Sequence, residues 1–429
     1  MTWRDESWLA RSSGRDAALS FESEALGAVA ETGQFRDFDL DGELEFLAEK
    51  VHVHSAALPF RVCEFLPETH CESRDHRVVP TGLLADLDGN GYDDVIVGAF
   101  YWDGAIVNEG GAWLYLGSPT GLETTPAWTV TGGQAQSQFG ASVTGAGDVN
   151  GDGYDDVLVG AYNWSDPELN EGALFLYLGS PTGPSSTADW TAQSNSDGAR
   201  LGWSVDSAGD VNGDGFADIV AGAPYRDGAY SGNGAAYVFL GSATGPGAVA
   251  DWIVEGDSAG ALLGWAVAGV GDTDADGFAD VAVGVRNWAF PNPKGGFAVY
   301  AGSASGPEST QMMFAEGDVN GRFLGAALSG AGDVNGDGYG DVLAGGEGVG
   351  WLAGEAYVFL GSAAGPDPTP TWIGEEGPAY TNHRYGRVVA GVGDINGDGY
   401  GDVAAAAPVF LGTVGNEGKV WTYLGNDGE

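Results

Sequence analysis

The chain has 429 residues and a formal net charge of −45, from 16 Lys plus Arg against 61 Asp plus Glu. So acidic a surface excludes the basic face that nucleic acid needs, disfavours an anionic membrane and favours cations. Hydrophobic residues make up 43%, enough for a packed interior, while the 75 Gly, far above the usual frequency of about 7%, point to many turns.

No apolar run approaches the roughly 18–20 residues of a membrane span, so no membrane insertion is expected. The opening residues, MTWRDESWLARSSGRDAALS, lack an apolar core, so no signal peptide is visible. Residues 1–24 are an N-terminal segment, followed by a distinct stretch over 25–77 that holds both cysteines, Cys63 and Cys71. Eight residues apart, they can close a small disulfide loop, which needs an oxidising compartment. His52, His54, His70 and His76 crowd the same region. A zinc site from Cys63, His70, Cys71 and His76 is therefore an alternative, although its spacing matches no common zinc motif, and free thiols are a third reading.

From residue 78 the chain repeats itself. DLDGNGYDD starts at Asp86, DVNGDGYDD at Asp148, DVNGDGFAD at Asp210, DTDADGFAD at Asp272, DVNGDGYGD at Asp333 and DINGDGYGD at Asp394, with starts 62, 62, 62, 61 and 61 residues apart. The context repeats as well. A small-residue lead-in (FGASVTGAG, LGWSVDSAG, LGWAVAGVG) precedes the acidic loop, and an apolar run (DVLVGAY, DIVAGAP, DVAVGVR) follows it. A second apolar run ends in Gly-Ser (GAWLYLGS, GALFLYLGS, GAAYVFLGS, GEAYVFLGS). After a turn such as PTGP or ATGP, a fourth run opens on Trp128, Trp190, Trp252, Phe314 or Trp372. The runs are too short for helices and rich in β-formers. Four strands per unit of about 60 residues is one propeller blade, and a blade that cannot bury both faces alone packs radially against its neighbours. The expected fold is all-β, a β-propeller of four-stranded blades, six of them in residues 78–429.

The pair Phe139-Gly140 and the triplet Gly222-Ala223-Pro224, flanking D-x-[DN]-x-[DN]-G-x-x-D loops, resemble the FG-GAP repeats of the integrin α-subunit propeller. The resemblance spans all six copies, with departures at Gly284-Val285-Arg286 and Gly345-Gly346-Glu347, and the integrin leg domains and membrane span have no counterpart here. Propellers of that family usually have seven blades. The N-terminal DFDLDGELEF aligns with the acidic loop through Asp37, Asp39, Asp41, Gly42 and Glu45, with Leu26-Gly27 near the lead-in pair. Residues 25–77 are therefore expected to form a shortened, degenerate first blade. The last copy stops at GKVWTYLGNDGE after its third strand, and DAALSFESE (16–24) is expected to supply the outer strand and close the ring, removing open edges. The alternative is a six-bladed ring closed by LPFRVCEFL, with residues 1–55 as an appendage. An EF-hand-like reading of Asp37–Glu49 puts Ala48 where the twelfth-position Glu belongs.

The acidic loops have a chemical logic. A hard cation such as Ca²⁺ takes six to eight oxygens, and side chains at loop positions 1, 3 and 5 can converge on one centre. Gly at position 6 permits the turn, the carbonyl of position 7 adds an oxygen, and Asp at position 9 could bind through both of its own. The expected ligands are Asp86, Asp88, Asn90, Tyr92 and Asp94 in the first loop and Asp148, Asn150, Asp152, Tyr154 and Asp156 in the second. The third offers Asp210, Asn212, Asp214, Phe216 and Asp218, and the fourth Asp272, Asp274, Asp276, Phe278 and Asp280. The fifth and sixth offer Asp333, Asn335, Asp337, Tyr339, Asp341 and Asp394, Asn396, Asp398, Tyr400, Asp402. With Asp at all four side-chain positions, the fourth should bind most tightly. Bare Asx turns would repeat the mutual repulsion of these carboxylates six times with nothing to offset it. About six Ca²⁺ are expected, and filling weak sites needs extracellular calcium, which places the protein outside the cell or on its surface.

Recognition belongs on the other face, where the loops between second and third strands vary most (FYWDGAIVNEG, YNWSDPELNEG, PYRDGAYSGNG, VRNWAFPNPKG). Their large side chains, Trp102, Trp164, Tyr225, Arg226, Trp288, Trp351 and Phe410, are candidates for binding a protein or glycan, or for plugging the channel mouth and packing on neighbouring blades. The expected function is an adhesion or protein-recognition module, with a lectin-like propeller as the alternative. No Ser-His-Asp or Cys-His arrangement is recognisable, so no enzyme is expected; a carboxylate pair acting on polysaccharide is the remote exception.

Overall fold

In the computed structural model the described residues are 28–30, 33–36, 45–48, 51–53, 84–85, 87–289, 292–348, 353–375, 383–408, 411–412, 415–416 and 419–426. They contain strands and turns and no helix. The repeats fold into antiparallel meanders in which each strand pairs with the next in sequence. Sheet I comprises Leu84–Ala85, Asp94–Ala99, Gly111–Tyr115 and Trp128–Thr131. Sheet II comprises Phe139–Gly147, Asp156–Ala161, Ala173–Tyr177 and Trp190–Gln193. Sheet III comprises Ser204–Gly209, Asp218–Ala223, Ala235–Phe239 and Trp252–Glu255. Sheet IV comprises Leu263–Gly271, Asp280–Val285, Gly296–Tyr300 and Met313–Glu316. Sheet V comprises Leu324–Gly332, Asp341–Gly346, Glu355–Phe359 and Trp372–Glu375. Sheet VI has three strands among the described residues, Val388–Gly393, Asp402–Ala407 and Lys419–Tyr423. This is the expected all-β architecture of propeller blades.

Burial follows from radial packing. Every residue of each second strand is buried, on both faces, because a blade is sandwiched between two others. The fourth strands are the outer edges and alternate between exposed and half-buried in sheet III. The first strands of successive sheets lie side by side, nearest the ring axis. There Val205 donates its amide to Ser142 Oγ at 3.1 Å, Val267 to Ser204 Oγ at 3.2 Å and Gly391 to Ser329 Oγ at 3.0 Å. The fourth-strand aromatics bind blade to blade. Trp128 meets Tyr177 edge-on at 5.0 Å, Trp190 meets Phe239 at 5.0 Å, Trp252 meets Tyr300 at 5.0 Å and Trp372 meets Tyr423 at 4.6 Å. Trp128 is buried, whereas Trp190, Trp252 and Trp372 are half-buried because they sit on the outer strand.

At the N-terminal side, Gly33–Arg36 pairs with Glu45–Ala48, and Ala28–Ala30 with Val51–Val53. The strand Gly33–Arg36 lies against Val388–Gly393, the innermost strand of sheet VI. The expected outer strand at 16–24, the acidic residues Asp37, Asp39 and Asp41, and the pair Cys63 and Cys71 lie outside the described residues.

Candidate functional site

Each acidic loop joins a first strand to a second, and a bulge sets its direction. In sheet II the pairing slips between Asp156 opposite Gly147 and Val157 opposite Gly145. Gly147 takes φ 73°, a left-handed conformation that glycine adopts without strain, and this turns the chain into the loop. The same slip recurs in sheets III, IV, V and VI.

Inside the loop, short polar side chains cap the backbone. Asp148 Oδ1 accepts the amides of Gly151 (2.6 Å) and Asp152 (3.0 Å), and its Oδ2 accepts that of Gly153 at 2.8 Å. Asn150 Oδ1 accepts the Asp152 amide at 3.0 Å, and Asp152 Oδ1 that of Tyr154 at 3.1 Å. The chain thus winds around the side chains of positions 1, 3 and 5. In the loops of sheets II, III, V and VI the Asn Nδ2 at position 3 donates to the position-5 carboxylate, at 2.9, 2.9, 2.8 and 2.9 Å. The loop of sheet IV has Asp274 in that place and loses this donor. Among the described residues it holds three carboxylates, Asp272, Asp274 and Asp276, with oxygens within 4.8 Å of one another. Burial and then the charges of Asp276 and Asp272 push the Asp274 carboxyl above its usual range. An all-oxygen donor set carrying uncompensated negative charge fits a hard divalent cation, with Asp272, Asp274 and Asp276 as its holders.

Position 9 has a different setting. Asp94, Asp156, Asp218, Asp280, Asp341 and Asp402 are fully buried, and both oxygens of each accept main-chain amides. Asp156 takes Val149 N at 2.9 Å and Gly179 N at 2.7 Å; Asp218 takes Val211 N at 2.8 Å and Gly241 N at 2.7 Å; Asp341 takes Val334 N at 2.9 Å and Gly361 N at 2.8 Å. Position 9 thereby ties the acidic loop to the Gly-Ser turn after the third strand, and in sheet IV Asp280 Oδ2 accepts both the amide and the hydroxyl of Thr273. Burial pushes Asp156, Asp218 and Asp341 up to about 7, and Asp280 and Asp402 to about 6, despite the amides that lower them.

The loops are also wired to the next blade. The carbonyl of Asp148 accepts Ala217 N at 3.0 Å, Asp210 accepts Ala279 N at 3.0 Å, Asp272 accepts Gly340 N at 2.9 Å and Asp333 accepts Gly401 N at 2.8 Å. Position-7 rings cover the preceding loop: a Cβ on Gly151 would sit 2.6 Å from the Phe216 ring. Asp86 lies outside the described residues.

On the opposite face the expected side chains pack largely on their own blades. Trp102 meets Trp113 edge-on at 5.5 Å, Trp164 meets Phe175 at 5.1 Å and Trp288 meets Phe314 at 4.6 Å. Arg226 pairs with Glu255 at 3.0 Å and lies 5.6 Å from the Tyr237 ring. Trp351 and Phe410 lie outside the described residues. Tyr225 instead joins a cluster that runs across sheets II to V. Trp203 is 4.9 Å from Tyr162, 5.5 Å from Tyr225 and 4.8 Å from Trp265, ring to ring. Arg200 lies 4.5 Å above the Tyr225 ring, and Arg286 lies 4.5 Å above Trp265 and 4.2 Å above Phe323. All but Phe323 are half-buried. Sequence reasoning missed Trp203 and Trp265, although the repeated LGW lead-in marked a bulky side chain where FGA and LGA have alanine.

Three segments, 139–177, 201–239 and 385–423, match the FG-GAP repeat family model. Integrin alpha-PS2 of Drosophila melanogaster is 34% identical over 167 residues, covering 37% of this chain and 11% of that protein. Integrin alpha-5 of Xenopus laevis is 31% identical over 147 residues, covering 32% and 14%. Phosphatidylinositol-glycan-specific phospholipase D of Bos taurus is 33% identical over 165 residues, covering 36% and 19%. The chain thus spans less than a fifth of the length of each of these relatives.

Proposed function

We propose, from the premise that this chain is an FG-GAP repeat protein similar to integrin α subunits, that it is a calcium-stabilised recognition module of the cell exterior. The observation that carries the reading is the division of labour between faces. The acidic loops are built into the frame, four of them, those of Asp148, Asp210, Asp272 and Asp333, bonded through their first carbonyl to the next blade, so a cation held there stiffens the junction between blades. The opposite face carries the variable loops and the half-buried aromatic cluster, and it is where a partner docks. The holders of the cation are positions 1, 3 and 5 of each loop, with the position-7 carbonyl and a second lone pair of the buried position-9 Asp completing the shell. When bound, the ion supplies charge neutralisation and no reaction. Similarity to a phospholipase D by name covers 36% of this chain and 19% of that protein, and no catalytic role is proposed.

A ligand that binds only the folded form stabilises it by RT ln(1 + [L]/Kd), about 1.4 kcal/mol per site at tenfold excess. Six such sites sum to about 8 kcal/mol, comparable with the stability of a whole domain. Millimolar extracellular calcium fills even weak sites of this kind, which supports an exterior location. The test is thermal unfolding of the chelator-stripped protein with calcium titrated back and bound metal counted. A large rise in melting midpoint with about six ions bound is expected. No bound metal and an unmoved midpoint would overturn the calcium reading.

A further inference from the structure

Every Lys and Arg from Arg200 to Lys419, eight residues, sits at the beginning of a first or third strand, just after a second strand, or in the loops joining these ends. All eight therefore lie on the variable face and none on the face of the acidic loops. Most are matched by acids: Arg226 by Glu255, Arg286 and Arg387 by Glu347, Lys294 by Glu316, and Arg322 by Asp318 and Glu355. Arg200 is different. Its guanidinium has no carboxylate and no hydrogen-bond acceptor among the described residues, in a chain of net charge −45, and it lies over Tyr225 at 4.5 Å and near Tyr162 at 6.0 Å. Its backbone is held left-handed at φ 61°, which is strained for a residue with a side chain, by its amide bond to Asn170 O at 3.2 Å.

We propose that Arg200, on the platform of Tyr162, Trp203, Tyr225 and Trp265, is the anchor for a protein partner that presents a single Asp or Glu carboxylate in an apolar setting. This rests on the reading of the variable face as the recognition face. The planar guanidinium offers paired donors that match a carboxylate, and its stacking on rings orients the fork in advance. The surroundings supply the apolar part. Val107, Leu169 and Tyr230, at the tips of three successive loops of this face, are 61%, 65% and 51% exposed, and Leu169 adjoins the Asn170 that holds Arg200. Charge selects between classes of partner. A polyanionic glycan meets the field of the whole acidic molecule, whereas one carboxylate on a neutral or basic protein surface meets the local cation and avoids that penalty.

The test pans a random phage-displayed dodecapeptide library on the full chain in calcium buffer and, in parallel, probes an array of acidic and neutral oligosaccharides. Enriched peptides are expected to carry Asp or Glu beside apolar residues. Their binding should weaken about 10- to 100-fold with Arg200→Gln and less with Arg200→Lys, which keeps charge but loses the fork. The melting midpoints of both variants should stay within a few degrees of the parent value, since Arg200 pairs with no acid and gives up only its half-buried contact with the Tyr225 ring. Enriched peptides without acids, or binding indifferent to Arg200→Gln, would overturn the anchor and leave the face intact as a recognition surface. Retention of acidic oligosaccharides alone, lost in Arg200→Gln, would overturn the protein partner. Retention of no peptide and no glycan would overturn both the anchor and the reading of the face.

Discussion

Asp156 shows how one residue type does two jobs in ten positions. Asp148 and Asp152, in the same loop, keep their oxygens among loop amides near solvent, whereas Asp156 is fully buried and spends both oxygens on amides of Val149 and Gly179. In Asp156→Asn one oxygen remains an acceptor, but the new NH₂ faces an amide N–H, so one bond is lost and a buried donor is left unpaired. A cost of about 2–3 kcal/mol follows, to be read by urea unfolding in chelator at pH 5.5, below the raised value of about 7 for Asp156, where neither calcium nor the buried charge contributes. An unchanged midpoint would show that the clamp is dispensable. The spacing of Asp at positions 1, 3, 5 and 9 was legible in the sequence, because a turn-forming acidic motif is local. The commitment of position 9 to the Gly-Ser turn was not, since its partner lies 23 residues away.

At the scale of the element, the fourth strand is short and half-exposed and depends on its aromatic to reach the next blade. Trp190 packs edge-on against Phe239, and its indole N–H donates to Gly247 O at 2.9 Å, both in sheet III or its turn. Trp190→Ala removes both contacts and should cost about 2–3 kcal/mol, less than a fully buried Trp because the ring is half-exposed. Trp190→Phe should recover the ring contact and lose only the hydrogen bond, about 1 kcal/mol. Equilibrium unfolding of the pair reads this, and equal destabilisation by the two variants would contradict it. The four strands per repeat were legible from alternating runs and turn residues. Which aromatic touches which neighbouring blade was not, because radial packing joins residues about 50 positions apart, as Trp190 and Phe239 are.

At the scale of the whole molecule, repetition turns a local effect into a global one. Five position-9 carboxylates are raised by burial to between about 6 and 7, above the ordinary carboxylate value of about 4. The folded state therefore holds protons that the unfolded chain releases, so their contribution is complete below about pH 4 and is lost as pH rises through 6 to 7. The metal-free protein should melt at a lower temperature at pH 8 than at pH 5.5, and saturating calcium, which favours the ionised form, should shrink or reverse the difference. A chelated protein that melts higher at pH 8 would refute this. Repetition also raises the question of closure. We propose that the N-terminal hairpin is the seventh, shortened blade, supported by the contact of Gly33–Arg36 with the innermost strand of sheet VI.

By itself the sequence determined the repeat, the strand count per blade, the propeller class and the positions of the acidic loops, because each depends on residues within one unit of about 60. What converges from different units was set by the packing of the blades. It buried the last acid of every GDVNGDGYDD-like stretch as a clamp, tied the loops that begin at Asp148, Asp210, Asp272 and Asp333 to the following blade, and gathered Tyr162, Arg200, Trp203, Tyr225 and Trp265 from three units onto one face. The physical reason is that strand formation and turn chemistry are short-range, whereas burial and side-chain neighbours are set by how blades pack around the axis.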